Sequence, residues 1–315
     1  MAKRRTFVIF FLVCFLFLVM PFCSVFASSV NEIDLQKECV LEVSYVSGAT
    51  SFSNANIKLH KIAEVNKDAY YTLTNSFAKT GLTLNGVQSV TEWDIIRSTL
   101  EAYIVAGNIQ PTVTALTNNN GRVCFNNLKP GLYFVEALTD TANDVTCKFN
   151  SALIALPGFD KNGEWKYEIA VTSKSQIIPP SQEEINLNVI KLWQDEKNQN
   201  KRPKTVEIEI FKNGTVYKTT TLSEQNGWSY SWTAKNDGAN WVVAEKNVPK
   251  EYTMTVHQQN QTFVVVNSYV SQKPPTDIPP TGDTQNIMLY IILMVVFGVA
   301  LICLGILGKR NNNDK

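Results

Sequence analysis

The sequence is poor in the residues from which most catalytic and metal centres are built. It holds two histidines in 315 residues and no Cys-x-x-Cys pair, so a structural metal has no ligand set. No glycine-rich phosphate loop, nucleophile–base–acid set or framed pair of carboxylates stands out. These absences argue against an enzyme and require no cofactor. Charge of one sign is also lacking. A formal net charge of +1 gives nucleic acid no electrostatic reason to bind.

Cysteine is scarce where it could matter. Of the six present, Cys14, Cys23 and Cys303 fall in apolar terminal runs, which leaves Cys39, Cys124 and Cys147. Three thiols allow one disulfide and a free thiol in an oxidising compartment, or three reduced side chains. The sequence does not choose between these.

Long apolar runs occur only at the two ends, and inflate the overall hydrophobic fraction. Lys3, Arg4 and Arg5 precede the run from Phe7 to Phe22 and the small-residue site Val25-Phe26-Ala27. Residues 1–27 therefore read as a secretory signal peptide cleaved after Ala27. At the other end, residues 287–307 are apolar and long enough for one transmembrane helix, followed by a basic tail, 308–315, that begins Gly308-Lys309-Arg310. Between them and the exported part lies a Pro-rich linker, 270–286, whose prolines keep it extended.

The exported residues divide by pattern. In 38–174, short alternating stretches such as Ala55–Ile62, Gly121–Phe125 and Gly131–Glu136 predict strands, punctuated by the turn pairs Asn120-Gly121 and Pro130-Gly131. One interval changes period. Ser89-Val90-Thr91-Glu92 has the capping-box pattern, and Trp93, Ile96, Leu100, Tyr103 and Ile104 share a helical face until Gly107. Residues 175–184, SQIIPPSQEE, read as a linker stiffened by Pro179-Pro180. Residues 185–269 hold seven or so short strands, including the Thr205–Lys212 and Thr215–Leu222 hairpin around Asn213-Gly214. The expected fold is mainly β: two tandem β-sandwich domains, the first with an inserted helix.

Three motifs resemble known families. Ile278-Pro279-Pro280-Thr281-Gly282, followed by the apolar run and basic tail, resembles the LPxTG sorting signal of Gram-positive surface proteins, with Ile for Leu. The resemblance implies that a sortase cleaves between Thr281 and Gly282 and joins Thr281 to peptidoglycan or to a pilin lysine. The mature product would be residues 28–281, on the cell wall or in a pilus. "NNNGRVCFNNLKPGLYFVEA" is similar to the prealbumin-like, Cna B-type domains of pilins and adhesin stalks. Trp165, Ile169, Val171 and Lys174 keep the spacing of the pilin motif WxxxVxVYPK, with Thr172-Ser173 in place of Tyr-Pro. In shaft pilins that lysine joins subunits, which makes Lys174 the candidate polymerising residue, against the reading of a plain surface lysine.

The second unit resembles the Cna B-type repeat over its full length, through "VIKLWQDEKNQNKRP", "NGWSYSWTA", "VVAEKNVPKEY" and "FVVVNSY". That resemblance implies an intramolecular isopeptide bond between Lys191 and Asn267, promoted by Glu245. An ordinary Lys191–Glu245 salt bridge is the alternative. The first unit offers no matching lysine–asparagine pair, so no such crosslink is expected there. Two functions follow from these resemblances: a sortase-anchored pilin or stalk subunit, or a monomeric adhesin whose first domain, through its helical insertion, binds a host or matrix ligand.

Overall fold

A computed structural model of the chain describes residues 32–179 and 183–270. The signal-peptide reading, the sorting motif at 278–282, the transmembrane reading at 287–307 and the tail lie outside the described residues. Among the described residues, no helix is long and apolar enough to cross a membrane.

The chain is mainly β with one long helix. Strand β1 (Cys39–Ser44) alternates inward Cys39, Leu41 and Val43 with less buried neighbours, as a strand with one core face must. After the small hairpin β2 (Val46–Ser47) and β3 (Thr50–Ser51) come β4 (Asn56–Val65) and β5 (Tyr71–Leu73). Helix α1 (Val90–Ala106) starts at Ser89, whose side chain accepts from the Glu92 amide while Glu92 reaches back to the Ser89 amide. It ends at Gly107. Then follow β6 (Val113–Leu116), β7 (Arg122–Leu128), β8 (Gly131–Val135), β9 (Leu138–Ala142), β10 (Val145–Phe149), β11 (Ala152–Leu156), the short pair β12 (Gly158–Phe159) and β13 (Trp165–Lys166), β14 (Glu168–Thr172) and β15 (Ser175–Ile178).

In this first β region the opening strand pairs in parallel with β14, Leu41 opposite Ile169 and Val43 opposite Val171. That sheet, β14-β1-β7, faces the sheet β11-β8-β4-β5, and β6 adds to β4. Leu41, Val43, Tyr45, Phe52, Phe125 and Phe149 fill the space between. Ser175–Ile178, read from the sequence as the start of a linker, is strand: it pairs antiparallel with β10, Cys147 opposite Ile177. Four residues of free edge on β10 satisfied the backbone better than solvent did. The β9–β10 hairpin also went unread, because Asn143 and Asp144 turn with positive φ inside a polar stretch that lacks glycine.

The second β region runs β16 (Glu184–Gln194), β17 (Thr205–Lys212), β18 (Thr215–Ser223), β19 (Ser229–Lys235), β20 (Trp241–Glu245), β21 (Tyr252–Gln259) and β22 (Thr262–Tyr269). Sheet β19-β16-β22-β21 packs on sheet β18-β17-β20 around Val189, Ile208, Ile210, Val243 and Val265. Its first and last strands, β16 and β22, again lie parallel and adjacent.

The two β regions are not separate beads, since one compact unit extends to Val270. Helix α1 lies between them. Ile96, Leu100 and Ile104 pack on Ile62, Leu132 and Phe134 of the first region. Ala102 is fully buried in the core of the second, with Tyr103 and Val105 beside it. The Thr99 hydroxyl accepts from the Val256 amide at 2.9 Å and donates to the Val256 carbonyl at 3.2 Å. Glu101 takes the Asn240 side-chain amide at 2.7 Å, and Thr139 donates to the Gly238 carbonyl at 2.8 Å. With both faces packed, α1 does not offer the ligand-contact surface expected of a helical insertion.

Candidate functional site

The second region encloses three polar side chains in an apolar core. On β16 the inward positions are Leu187, Val189 and Lys191; on β22 they include Phe263, Val265 and Asn267. Strand alternation therefore turns Lys191 and Asn267 into the sandwich from neighbouring strands of one sheet. In the parallel register Lys191 stands opposite Val265 and Asn267 opposite Trp193. Glu245 ends β20, on the facing sheet, and enters the same core. All three are nearly inaccessible: Lys191 2%, Glu245 4%, Asn267 0% exposed.

Their contacts centre on the carboxyl group. Lys191 Nζ lies 3.7 Å from Glu245 Oε2, and Asn267 Nδ2 donates to Glu245 Oε1 at 3.2 Å. The amine also donates to the carbonyls of Leu192 at 3.0 Å and Val265 at 3.4 Å, and sits 4.3 Å from the centre of the Trp193 ring. Two polar atoms here have no hydrogen-bond partner, Glu245 Oε2 and Asn267 Oδ1. Buried orphans of this kind are rare in folded proteins. Burial pushes the Lys191 amine below the usual lysine range, against the opposing pull of the Glu245 charge. Burial likewise raises the Glu245 carboxyl, and outweighs Lys191 and Asn267, which act to lower it. Burial thus moves both groups toward their uncharged forms, the amine down to about 8 and the acid upward.

A second polar cluster closes one end. Arg202 donates to both oxygens of buried Asp195, at 2.5 and 2.6 Å, and Tyr252 Oη donates to Asp195 at 3.2 Å. Hydrogen bonding from Arg202 holds the Asp195 carboxyl below the usual range, in spite of burial. Asp195→Ala is expected to cost about 2–3 kcal/mol in urea unfolding. That is less than a fully buried pair would lose, because Arg202 keeps 29% exposure. Unchanged stability would contradict this reading of the pair.

The first region places different groups at the matching strands. Glu136 follows β8 and is bonded by His60 at 2.7 Å and Lys58 at 3.2 Å. Burial acts to raise this carboxyl, but the His60 hydrogen bond and the Lys58 charge together hold it below the usual range. The inward positions of the paired strands β1 and β14 are Cys39, Leu41, Val43, Ile169 and Val171, with no lysine or asparagine among them.

Lys174 is exposed in the two-residue gap between β14 and β15, and its carbonyl accepts from the Asn150 amide at 3.0 Å. It borders a groove also lined by Tyr45, Asn150 and Ile154. Trp165, of the same motif, packs on the first core and meets Phe159 edge-on at 4.7 Å. Cys39 and Cys147 are buried and Cys124 is exposed; all three are free thiols, so the disulfide alternative is not realised. The two buried ones serve as small apolar core residues. Among the described residues no cluster of three or more His, Cys, Asp or Glu could hold a metal ion.

Comparison with known proteins bears on the same region. Residues 187–268 match the family described as Cna protein B-type domain. Over 105 residues the chain is 32% identical to the collagen adhesin of Staphylococcus aureus, a match covering 31% of this chain and 9% of that protein. Among solved structures, a single B repeat unit of the collagen binding surface protein of Staphylococcus aureus aligns with 73% of this chain and 97% of its own, at 15% identity and a TM-score of 0.26. The full-length major pilin SpaD of Corynebacterium diphtheriae aligns with 76% of this chain and 66% of its own, at 14% identity and a TM-score of 0.30. The family match is confined to residues 187–268, which are similar to a Cna protein B-type domain.

Proposed function

We propose that this chain is a structural subunit of a Gram-positive cell surface, a sortase-anchored pilin or stalk protein stabilised by an autocatalytic Lys191–Asn267 isopeptide bond. The observation that supports it most is the burial of Lys191, Glu245 and Asn267 together, on the first, fifth and last strands of the B-type domain. A lysine there without chemistry to perform would be costly.

The reaction needs no cofactor. The neutral Lys191 amine attacks Asn267 Cγ; the new C–N bond forms, the Cγ–Nδ2 bond breaks, and ammonia leaves with the proton the amine gives up. Glu245 relays that proton. Turning the Asn267 amide over would set its Oδ1 against the carboxyl, so that protonated Glu245 donates to it and polarises the carbonyl. The orphaned Asn267 Oδ1 would then be satisfied by Glu245 Oε1. The product ties the first strand to the last, so that force along the chain cannot unzip the sandwich between them.

Anchoring rests on the sorting-signal resemblance at 278–282 and the terminal segments around it. Mapping of wall-released protein from the native cells tests the two assemblies. A peptide joining Lys174 of one subunit to Thr281 of another is expected for a shaft pilin, and Lys174→Ala should then abolish the high-mass ladder. Thr281 found on peptidoglycan alone would overturn the shaft role and leave a monomeric stalk or a terminal subunit. The name of the collagen adhesin relative favours a second reading, an adhesin with a matrix ligand. With α1 packed on both sides, its contact surface would have to lie elsewhere on the first region.

A further inference from the structure

We infer that helix α1, contributed by the first region, is a positioning element for the crosslinking site of the second: by closing the seam between strands β20 and β21 it keeps water from Glu245 and holds that carboxyl at the amine and the amide. This rests on the crosslinking reading above. The two sheets of the second region each end on that side in an edge strand, since β20 pairs only with β17 and β21 only with β22. The strands meet at the site itself, where the Glu245 amide donates to Met254 Sδ at 3.3 Å. A sandwich of these two sheets alone would be open along the seam, and water would reach the carboxyl from it.

Helix α1 fills that opening. All five residues of β20 are buried, although an edge strand of a sandwich ordinarily has one wet face. Ala102 is fully buried in the same core, and Tyr103 and Val105 pack against it. The single hydroxyl of Thr99 satisfies both outward backbone groups of Val256 on β21. Glu101 anchors Asn240, immediately before β20. Tyr103 is near enough for the Glu245 charge to add to burial in raising its phenol.

The groups facing Glu245 are then Lys191 from β16, Asn267 from β22, Met254 from β21 and Tyr103 from α1, while Asp195 and Arg202 act on Lys191. Lys191 and Glu245 share one proton in the reactive state, and a dry site favours amine plus acid over the ion pair. Water at the seam would reverse that preference. Carboxyl and amine would both move back toward their ordinary values, the acid downward and the amine upward. The one-proton window would widen while the reactive form within it became rarer.

The test is the time course of ammonia loss, by intact mass, in newly synthesised exported chain (residues 28–281) transferred to buffers across a range of pH. Ala102→Gln wedges the helix off without adding charge; Thr99→Val keeps the side-chain shape and removes both bonds to Val256. The expected result for each is a maximal rate lower by about tenfold, with the acid limb moved to lower pH and the basic limb to higher pH. Loss of packing alone would not broaden the profile. Because Ala102→Gln also threatens folding, Thr99→Val decides: a wild-type rate and profile in that variant would overturn the inference. A wild-type chain that never loses ammonia would instead remove the crosslinking reading beneath it.

Discussion

Asn267→Ala is expected to leave the Lys191 amine unlinked in every chain, with no ammonia lost, and to lower the stability of the second β region by about 4.5 kcal/mol. The magnitude comes from chain entropy. A Lys191–Asn267 bond closes a loop of roughly 77 residues, and a crosslink of that span removes that much freedom from the unfolded chain. The native contacts add little to the difference, since Asn267 keeps only one side-chain hydrogen bond, to Glu245. Urea unfolding of wild type and variant, read by tryptophan fluorescence, measures it. Trp193 and Trp232 both report on the second core, Trp232 from within it and Trp193 packed against it. Equal midpoints would mean that no crosslink spans the sandwich.

Glu245→Ala is expected to be worse than Asn267→Ala, by about 3–5 kcal/mol at neutral pH, although both abolish the bond. Removing the acid leaves a lysine with an inaccessible side chain and no carboxylate in contact, so the amine must hold an unpaired buried charge or give up its proton, and breaking a buried pair in this way costs about that much. Lys191→Met separates the two contributions. It forfeits the crosslink but fills the same slot beside Trp193 and Val265 with an apolar chain of similar length. Its stability should match or exceed that of Asn267→Ala. The order Lys191→Met, then Asn267→Ala, then Glu245→Ala, in falling stability, checks the electrostatic account independently of the chemistry. Glu245→Ala as stable as Lys191→Met would contradict it.

Much of the second region was legible in the sequence because its strands alternate cleanly and its turns use Asn-Gly. The boundaries of Thr205–Lys212 coincide with the observed strand. Lys191, Glu245 and Asn267 were chosen by resemblance, and period-two alternation then places all three on inward positions. What the sequence hid was the second face of α1. Ile96, Leu100 and Ile104 announce one apolar stripe by size, whereas the other contact is made by Thr99 and Ala102, which are too small to register as a hydrophobic period. A helix packed on two sides keeps only a narrow polar face, here Asp94, Arg97 and Glu101, so its amphipathic pattern reads as weak. The strand Ser175–Ile178 stayed hidden for a related reason. It sits at an edge with three exposed side chains, and the proline that follows it invites a linker reading.

The central claim is that Lys191 and Asn267 become one covalent unit inside the B-type domain. The most direct test is intact mass and a tryptic map of the purified exported chain. The expected result is a mass short by one ammonia and a branched peptide in which trypsin has failed to cut after Lys191, joined there to the peptide containing Asn267. Two separate, unmodified peptides from a chain of full mass would contradict it.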